Sequence, residues 1–250
     1  MSDTMPNTML NIIAYRSLGS TNLQLKELAA QKELLSGTCL TTEEQWAGRG
    51  QRGSSWESET GKNLIFSVYY KLDLPIEWNF YLVEVAALSI KKVLDNYCKF
   101  ISIKWPNDIY YKDKKIAGIL IENDLQGKKI SSSIMGIGLN VNQTSFISDA
   151  PNPISLIQIL NKEINRQDIL EKILKEMNLL VQQILTNKLN IHEQYNACLY
   201  RKNELRPYRD DGGEFLAEIL EVDTEGFLHL KTDKNELRKY TFKEVKYLVL

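Results

Sequence analysis

Glycine and arginine alternate in residues 45–56, which read Q-W-A-G-R-G-Q-R-G-S-S-W. Glycine lets backbone N–H groups approach a ligand closely, and guanidinium groups offer forked donors to a carboxylate or a phosphate. The stretch therefore predicts a mobile loop that binds a small anion and becomes ordered over it. A loop that binds nucleic acid, or one without a ligand, stays open as an alternative.

A second pattern is the K-W-P-N-D sequence of residues 104–108, which places polar side chains at the end of a predicted strand. Lys115 follows soon after, and a hairpin between strands would bring it to Asp108. Gly118 in the middle of the next strand indicates that another group approaches the backbone closely. A solvated turn and a solvated edge lysine are the alternatives for these residues.

Residues 136–142, G-I-G-L-N-V-N, lack the third glycine and the βαβ context of a dinucleotide fingerprint, and the chain has no P-loop. Their small residues favour the floor of a slot for a flat ligand. His192 and His229 are isolated in the sequence and are interpreted as surface or packing residues.

Composition limits the class of protein. A chain of 250 residues predicts one large domain, or one large domain and a small one. The net charge of −1 gives no indication of nucleic-acid or membrane partners. Three widely spaced cysteines (Cys39, Cys98 and Cys198) favour reduced thiols. The polar N-terminus differs from a signal peptide and no apolar run approaches the ~18 residues of a membrane span, so a cytoplasmic location is expected.

Hydrophobic periodicity predicts the elements that position these residues. Strands are predicted at 11–16, 38–42, 62–71, 100–105, 109–111, 115–123 and 129–141, and helices at 23–37, 79–98, 154–160, 168–185 and 189–199. Successive strands with helices set apart from them favour an α+β fold with a mixed sheet. Short alternating runs at 215–222, 227–231, 237–242 and 245–250 predict a small β-barrel-like module at the C-terminus.

The motifs together resemble those of the biotin protein ligases, in the order of that family. They are Ser20-Thr21-Asn22, Gln45, G-R-G-x-R-G-x-x-W, K-W-P-N-D, K-I-A-G-I-L-I-E and G-I-G-L-N-V-N. The resemblance covers about residues 15–142 and is weaker through the tail. It implies an α+β catalytic domain (1–200) followed by a small SH3-like domain (201–250).

The resemblance implies a reaction in two halves. Biotin and ATP form biotinyl-5′-AMP and pyrophosphate with Mg²⁺ as cofactor, and biotin then passes to a lysine of a biotin carboxyl carrier domain of a biotin-dependent carboxylase. Lys115 and Arg49 are the implied catalytic residues, and Asp108 could position magnesium or the incoming amine. The implied biotin-binding residues are Ser20, Thr21, Asn22, Gln45, Gly48, Arg49, Gly50, Gln51, Lys115, Gly118, Gly136 and Gly138. The implied ATP-binding residues are Arg52, Trp56, Lys104, Asn107, Asp108 and Asn140.

The sequence departs from the family at two positions, because Gln51 and Ser54 stand where many relatives carry basic residues. Phosphate contacts at these positions are therefore in doubt. Only about ten residues precede the first predicted strand, so a ligase without a DNA-binding domain is expected, with neither DNA nor membrane as partner. A homodimer stays open because relatives vary. The rival interpretations are a lipoate ligase, whose arginine and triple-glycine motif is missing, and a catalytically silent regulator that binds biotin or nucleotide.

Overall fold

A computed structural model describes residues 10–147, 152–186 and 190–248, except for the side chain of Arg52. In chain order its elements are β1 (Ile12–Leu18), α1 (Thr21–Gln31), β2 (Thr38–Gln45), β3 (Leu64–Pro75), α2 (Asn79–Leu94), β4 (Ile101–Lys104), β5 (Asp108–Tyr111), β6 (Lys114–Gln126), β7 (Lys129–Leu139), α3 (Leu156–Leu160), α4 (Arg166–Leu185), α5 (Ile191–Ala197), β8 (Arg206–Asp210), β9 (Gly213–Val222), β10 (Leu228–Thr232), β11 (Leu237–Tyr240) and β12 (Lys246–Tyr247). Two short 3₁₀ helices lie at Gln51–Gly53 and Ile76–Trp78. None of the helices in these described segments is long and apolar enough to cross a membrane.

The large sheet has seven strands in the order β1-β2-β3-β7-β6-β5-β4. Strands β1 and β2 are parallel, because helix α1 connects them, and every other neighbouring pair is antiparallel. The sheet is therefore mixed, and the α+β fold predicted from the sequence is confirmed.

Helices cover both faces of this sheet. Successive strand residues point to opposite faces, so Met135 and Ile134 of β7 belong to different layers. Met135 belongs to the main core with α2 and α4, whose buried faces include Leu82, Val85 and Met177. Ile134 packs in a smaller core with α1. Gly136 and Gly138 share the α1 face with Ile134, so the predicted slot lies on that side of the sheet.

The C-terminal region forms a second, antiparallel sheet in the order β11-β10-β9-β8-β12. Strand β8 was not predicted from the sequence, because it is short and contains Pro207, which has no N–H to donate to a neighbouring strand. Pro207 is paired with Leu216 of β9, and its carbonyl oxygen accepts a hydrogen bond from the Leu248 N–H. Buried residues of this sheet, including Tyr208 and Ile219, belong to the same core as α2 and α4. The division at residues 200 and 201 stays a prediction.

The smaller differences concern the ends of elements. Helix α1 begins at Thr21 and ends at Gln31, which is shorter than predicted at its C-terminal end. Strand β6 extends to Gln126 and forms a long hairpin with β7. All three cysteines are free, and burial raises the pKa of Cys39 to about 12. The predicted elements at 189–199 and 245–250 extend at one end beyond the described residues.

Candidate active site

A cavity of about 1230 Å³ opens on the α1 face of the large sheet. It brings together sixteen of the eighteen residues predicted for the site, which are distributed over the first 140 residues of the chain. Those residues are Ser20, Thr21, Asn22, Gln45, Arg49, Gly50, Gln51, Trp56, Lys104, Asn107, Asp108, Lys115, Gly118, Gly136, Gly138 and Asn140. The two others are Arg52, whose side chain lies outside the described part of the chain, and Gly48.

Gly48 does not line this cavity. A Cβ at this position would lie 2.5 Å from the Trp56 carbonyl oxygen and 2.8 Å from Gln45 Nε2. Glycine is therefore required here because the two ends of the loop approach each other, and the prediction that Gly48 faces biotin is not supported by its position.

The register of the sheet places a row of residues across the floor of the cavity. Gly138 of β7 is paired with Gly118 of β6, which is paired with Asp108 of β5, which is paired with Lys104 of β4. Cross-strand partners lie on the same face of a sheet. The row therefore runs from a floor without side chains to a carboxylate and then to an ammonium group at the edge of the sheet.

A polar network closes the other end of the cavity. The Thr21 N–H donates to Gln45 Oε1 (2.9 Å), so the amide nitrogen of Gln45 is turned away towards the loop. Ser67 Oγ lies 2.7 Å from Thr21 Oγ1 and 2.6 Å from Asn22 Oδ1. Ser20 occupies the N-cap position of α1 without a side-chain capping bond, so its hydroxyl is not used for that role.

The network continues from Asn22 to the glycine-arginine loop through Glu122. Asn22 Nδ2 donates to Glu122 Oε2 (2.8 Å), and Glu122 Oε1 lies 3.6 Å from Arg49 Nη1. Sequence reasoning did not single out Ser67 or Glu122 as site residues. A lone serine within the apolar strand L-I-F-S-V-Y-Y was the available signal for Ser67, because a buried hydroxyl needs a partner.

The glycine-arginine loop is a short hairpin. The Gly50 N–H donates to Ser54 O (2.6 Å) and the Trp56 N–H to Gly48 O (3.1 Å), around the 3₁₀ turn Gln51–Gly53. The turn makes this part of the loop compact and not extended. Gly53 has a φ of 86°, which only glycine adopts readily.

The Trp56 side chain fills the space above two of the floor glycines. A Cβ at Gly138 would lie 2.3 Å from Trp56 Cε2, and a Cβ at Gly118 would lie 3.0 Å from Trp56 Cζ3. Asn22 Oδ1 lies where a Cβ at Gly136 would be. In this structure the glycines thus make room for an indole and an amide. Trp56 Nε1 is buried with no hydrogen-bond partner among the described residues.

Charged groups meet in the middle of the cavity. Lys115 Nζ lies 2.7 Å from Asp108 Oδ1, and both side chains are 23% exposed. The Lys104 ammonium donates to Tyr110 Oη (3.0 Å) and lies over the rings of Tyr110 and Tyr247. Burial lowers the pKa of Lys104, and the nearby Asp108 opposes that shift. The arrangement presents two ammonium groups and one carboxylate to a ligand.

Two amide side chains complete this end. Asn107 Nδ2 donates to the Ile119 carbonyl oxygen, which fixes the turn after β4. Asn140 Nδ2 donates to Ile154 O (3.1 Å), while Asn140 Oδ1 is buried with no partner among the described residues. A buried acceptor without a partner is costly, so Asn140 is prepared to accept a hydrogen bond from a ligand.

One wall of the cavity comes from the C-terminal module and was not predicted. Its residues are Phe242, Lys243, Val245, Lys246 and Tyr247. Sequence patterns predicted strands in this region but gave no signal for which surface they cover, because that depends on how the two sheets pack.

The carboxylates do not form a site that would hold a metal alone. Within the described segments, no three His, Cys, Asp or Glu side chains are close enough to share an ion. Magnesium commonly binds through one or two carboxylates together with substrate phosphates. Asp108, the carboxylate beside Lys115, fits that arrangement.

The two histidines lie away from the cavity lining. His192 Nδ1 is 2.6 Å from Glu84 Oε1, and His229 Nε2 is 2.8 Å from Asp223 Oδ2. Their interpretation as packing or surface residues agrees with these contacts.

Comparisons with known proteins agree on one family. The model of the Biotin/lipoate A/B protein ligase family matches residues 14–140. The bifunctional ligase/repressor BirA of Bacillus subtilis is 28% identical over 241 residues, which cover 92% of this chain and 72% of that protein. The biotin--[acetyl-CoA-carboxylase] ligase of Mycobacterium tuberculosis is 29% identical over 230 residues, which cover 88% of this chain and 82% of that protein.

A solved structure supports the same conclusion. The biotin protein ligase from Aquifex aeolicus, in complex with biotin and ATP, matches with a TM-score of 0.76 at 26% identity. The match covers 95% of this chain and 99% of that one. The family model spans both the glycine-arginine loop and the row from Gly138 to Lys104. The chain therefore belongs to the Biotin/lipoate A/B protein ligase family.

Proposed function

We propose that this protein is a biotin protein ligase that uses ATP to attach biotin to a lysine of a carrier protein. In the first half-reaction a biotin carboxylate oxygen bonds to the α-phosphorus of ATP. The bond from that phosphorus to the bridging oxygen breaks, and pyrophosphate leaves with the electron pair. In the second half-reaction the lysine amine attacks the carbonyl carbon, loses a proton, and displaces AMP.

The observation that carries this proposal is the Lys115–Asp108 pair at 2.7 Å, midway along the cavity between the glycine floor and Lys104. Two anions must approach each other in the first half-reaction, and fixed cations in a partly closed site lower the energy of that approach. Lys115 would neutralise the biotin carboxylate and the charge that develops on the α-phosphate.

The polar end of the cavity suits the ureido ring of biotin, which carries one acceptor and two donors. Gln45 Nε2 is available as a donor because its Oε1 is occupied by the Thr21 N–H. Ser20, Asn22 and the Arg49 backbone complete the proposed ring site, and Gly50 and Gln51 of the loop would close over it. Trp56 would have to move off Gly118 and Gly138 for a ligand to lie directly on that floor.

The other end suits the nucleotide. Under this proposal Lys104 faces the phosphates, Asn107 and Asn140 offer amide groups, and the Trp56 indole stacks on adenine. Arg52 is assigned to the nucleotide from the resemblance alone. Magnesium bound to the ATP phosphates would be held by Asp108 and would neutralise part of their charge. In the second half-reaction Asp108 would orient the incoming amine.

Relatives favour biotin over lipoate as the substrate. The family model includes both chemistries. The Mycobacterium tuberculosis relative, which matches 88% of this chain, is named a biotin--[acetyl-CoA-carboxylase] ligase, and the Aquifex aeolicus enzyme was solved with biotin and ATP. A carrier domain of acetyl-CoA carboxylase is the acceptor that the name of the Mycobacterium tuberculosis relative supports.

The net charge and the cysteines bear on DNA binding and on cellular location. The net charge of −1 is unfavourable for phosphate-backbone contacts, so we expect no sequence-specific binding of DNA. A salt-resistant, sequence-specific gel shift would contradict this. Free thiols are typical of the reducing cytoplasm. Sedimentation in the analytical ultracentrifuge would measure whether two copies of the chain associate.

One experiment tests the function. The protein is incubated with biotin, ATP, magnesium and a carrier-domain fragment, and the fragment is weighed by mass spectrometry. A mass increase of one biotinyl group on one lysine is expected. A lipoyl-sized increase with lipoate and none with biotin would indicate the lipoate ligase. Biotin binding without release of pyrophosphate would indicate a silent regulator.

A further inference from the structure

The K-W-P-N-D turn places Asp108 in the cavity, but two groups that hold this turn lie outside the cavity lining. Trp105, the second residue of the motif, is buried, and its Nε1 donates to the Gly226 carbonyl oxygen (2.9 Å). The Pro106 carbonyl oxygen accepts a hydrogen bond from Tyr195 Oη (2.9 Å). Two consecutive residues of the turn are therefore hydrogen-bonded to groups that do not belong to the large sheet.

Tyr195 holds the turn from helix α5. Its side chain is fully buried, and its ring meets the Phe80 ring of α2 edge to face, with 5.5 Å between the centroids. This packing fixes the direction in which the hydroxyl points. The bond to Pro106 is itself buried, and a buried carbonyl oxygen that loses its donor is costly.

Gly226 holds the turn from the C-terminal module, in the connection between β9 and β10. Asp223 fixes that connection, because its Oδ1 accepts hydrogen bonds from the N–H groups of Glu225 (3.1 Å) and Phe227 (2.9 Å). Gly226 has a φ of 91°, and a Cβ at this position would lie 2.5 Å from Phe80 Cδ2. Glycine is therefore required here, since the backbone of the module approaches α2 closely.

Phe80 thus lies against both Tyr195 and Gly226, and we call these three residues the support cluster. On the cavity side the turn is joined to strand β6 instead. The Ile119 N–H donates to the Asn107 carbonyl oxygen (3.1 Å), and Asn107 Nδ2 donates to the Ile119 carbonyl oxygen. The turn is therefore fixed from two sides, by β6 and by the support cluster.

Asp108 is the residue that follows this turn directly, and its carboxylate lies 2.7 Å from Lys115 Nζ. We infer that Tyr195 and Gly226 are positioning residues that determine the place of Asp108 through the K-W-P-N-D turn. This inference rests on the proposed function, in which Asp108 takes part in both half-reactions. Neither positioning residue lines the cavity, so both contribute to the rate of reaction and not to the affinity for biotin.

The test is Tyr195→Phe, which removes the hydroxyl and keeps the ring. Adenylate formation is measured in single turnovers, so that slow variants can be compared, and transfer to the carrier fragment is measured from preformed biotinyl-5′-AMP. We expect both rate constants to fall roughly tenfold, because a small displacement of a reacting group is costly, while the Kd for biotin stays at the wild-type value. Trp105→Phe, which removes the hydrogen bond to Gly226, should also lower both rate constants.

An Asp108→Asn background distinguishes a positioning role from a structural one. If Tyr195 acts through Asp108, Tyr195→Phe has no further effect in that background, whereas independent effects would multiply. Tyr70→Phe is the matched control, because it removes another hydroxyl of a buried tyrosine outside the cavity lining, which bonds to Asn178 Oδ1 (2.8 Å). It should keep both rate constants.

The inference is overturned if Tyr195→Phe keeps the wild-type rate constants, or if its effect is equally large with and without the Asp108 carboxylate. The same criteria apply to Trp105→Phe, should the tyrosine variant not fold. A wild type that forms no adenylate would refute the proposed function instead, so the two failures are distinguished.

Discussion

Lys115 Nζ and Asp108 Oδ1 lie 2.7 Å apart, so the two charges neutralise each other. A bound carboxylate or phosphate would share the Lys115 ammonium with Asp108. Asp108 therefore fixes the position of the lysine, and the ammonium can still bind a substrate anion. The sequence identified both residues from their motifs, K-W-P-N-D and K-I-A-G. It could not give the distance, because that depends on an irregularity in the β5–β6 pairing between Ile109 and Tyr110.

Substitution of Lys115 by glutamine should abolish adenylate formation while the fold survives. The change removes the cation that lies beside Asp108 where two further anions must meet, and loss of one electrostatic stabiliser costs about 100-fold or more. Pyrophosphate release measures the effect. Lys114→Gln, at the exposed neighbouring position, should retain wild-type turnover. Turnover of a folded Lys115→Gln protein within a factor of about ten would refute the assignment.

Gln51 lines the cavity on the 3₁₀ turn of the loop. Glutamine donates only a neutral hydrogen bond, whereas arginine would offer a charged fork to the adenylate phosphate. We expect Gln51→Arg to slow dissociation of biotinyl-5′-AMP several-fold, a gain of about 1 kcal/mol. Each protein is preloaded with adenylate and release is followed without an acceptor.

A lysine at position 51 distinguishes the effect of the added positive charge from the effect of the forked guanidinium. Gln51→Lys adds the charge without the fork, so its effect should be smaller than that of arginine. An arginine variant that releases adenylate as fast as the wild type would mean that another residue, with Arg52 or Lys104 the first to test, already fills this role.

Among the elements, β3 to β7 follow the sequence pattern closely because alternation and turn residues determine them locally. The row of residues on the floor could not be predicted, since it depends on register between strands. Ser67 illustrates the limit: its position in β3 was predicted, but its bonds to Thr21 and Asn22 arise from the packing of α1 on the sheet. The missed strand β8 depends on pairing with β9 and β12, which its local sequence does not indicate.

The contact between β7 and the loop makes Gly138 a sensitive position. Gly138→Ala would bring a Cβ to 2.3 Å from Trp56 Cε2, so the indole must leave its place. Such overpacking costs roughly 1–3 kcal/mol. We expect a change in tryptophan fluorescence. Gly212→Ala is the control, with its nearest neighbour, Asp210 Oδ1, at 3.2 Å. Unchanged fluorescence in Gly138→Ala would show that Trp56 does not rest on this floor.

The glycine-arginine hairpin connects the two ends of the cavity, since Arg49 reaches Glu122 and Trp56 reaches the floor. Biotin bound at the polar end should fix the hairpin and with it the wall of the nucleotide site. ATP affinity should therefore rise when biotin is present. Calorimetric titration of a non-hydrolysable ATP analogue, with and without biotin, measures the coupling. Equal affinities in the two titrations would disprove it.

At the scale of the whole molecule, the two sheets share one core and one cavity. The Asn196 side chain, at the end of α5, bonds to the backbone of Val222 in both directions, 3.0 Å as donor and 2.8 Å as acceptor. The sequence predicted a separate C-terminal module but could not place it, because long-range packing between modules leaves no periodic signal. The wall at Lys246 and Tyr247 was missed for this reason.

The same junction contains a titratable pair. Glu84 of α2 is fully buried and its Oε1 lies 2.6 Å from His192 Nδ1 of α5. The hydrogen bond to Glu84 raises the pKa of His192 above its usual 6.5, with Glu221 of β9 and Asp223 of the following turn adding to the effect. Burial raises the pKa of Glu84, although His192 opposes that shift.

The raised pKa values of His192 and Glu84 both make the free energy of unfolding decrease as the pH rises. The folded protein holds these protons more tightly than the unfolded chain does. The stabilisation from His192 is therefore complete below pH 6.5 and is lost as the pH rises through its raised pKa. We expect the wild-type Tm to fall above pH 6.5, by about 2–4 °C for each kcal/mol lost in a chain of this size. The double variant Glu84→Gln/His192→Gln should show a flatter profile. Parallel profiles for the wild type and the double variant would show that the junction does not titrate.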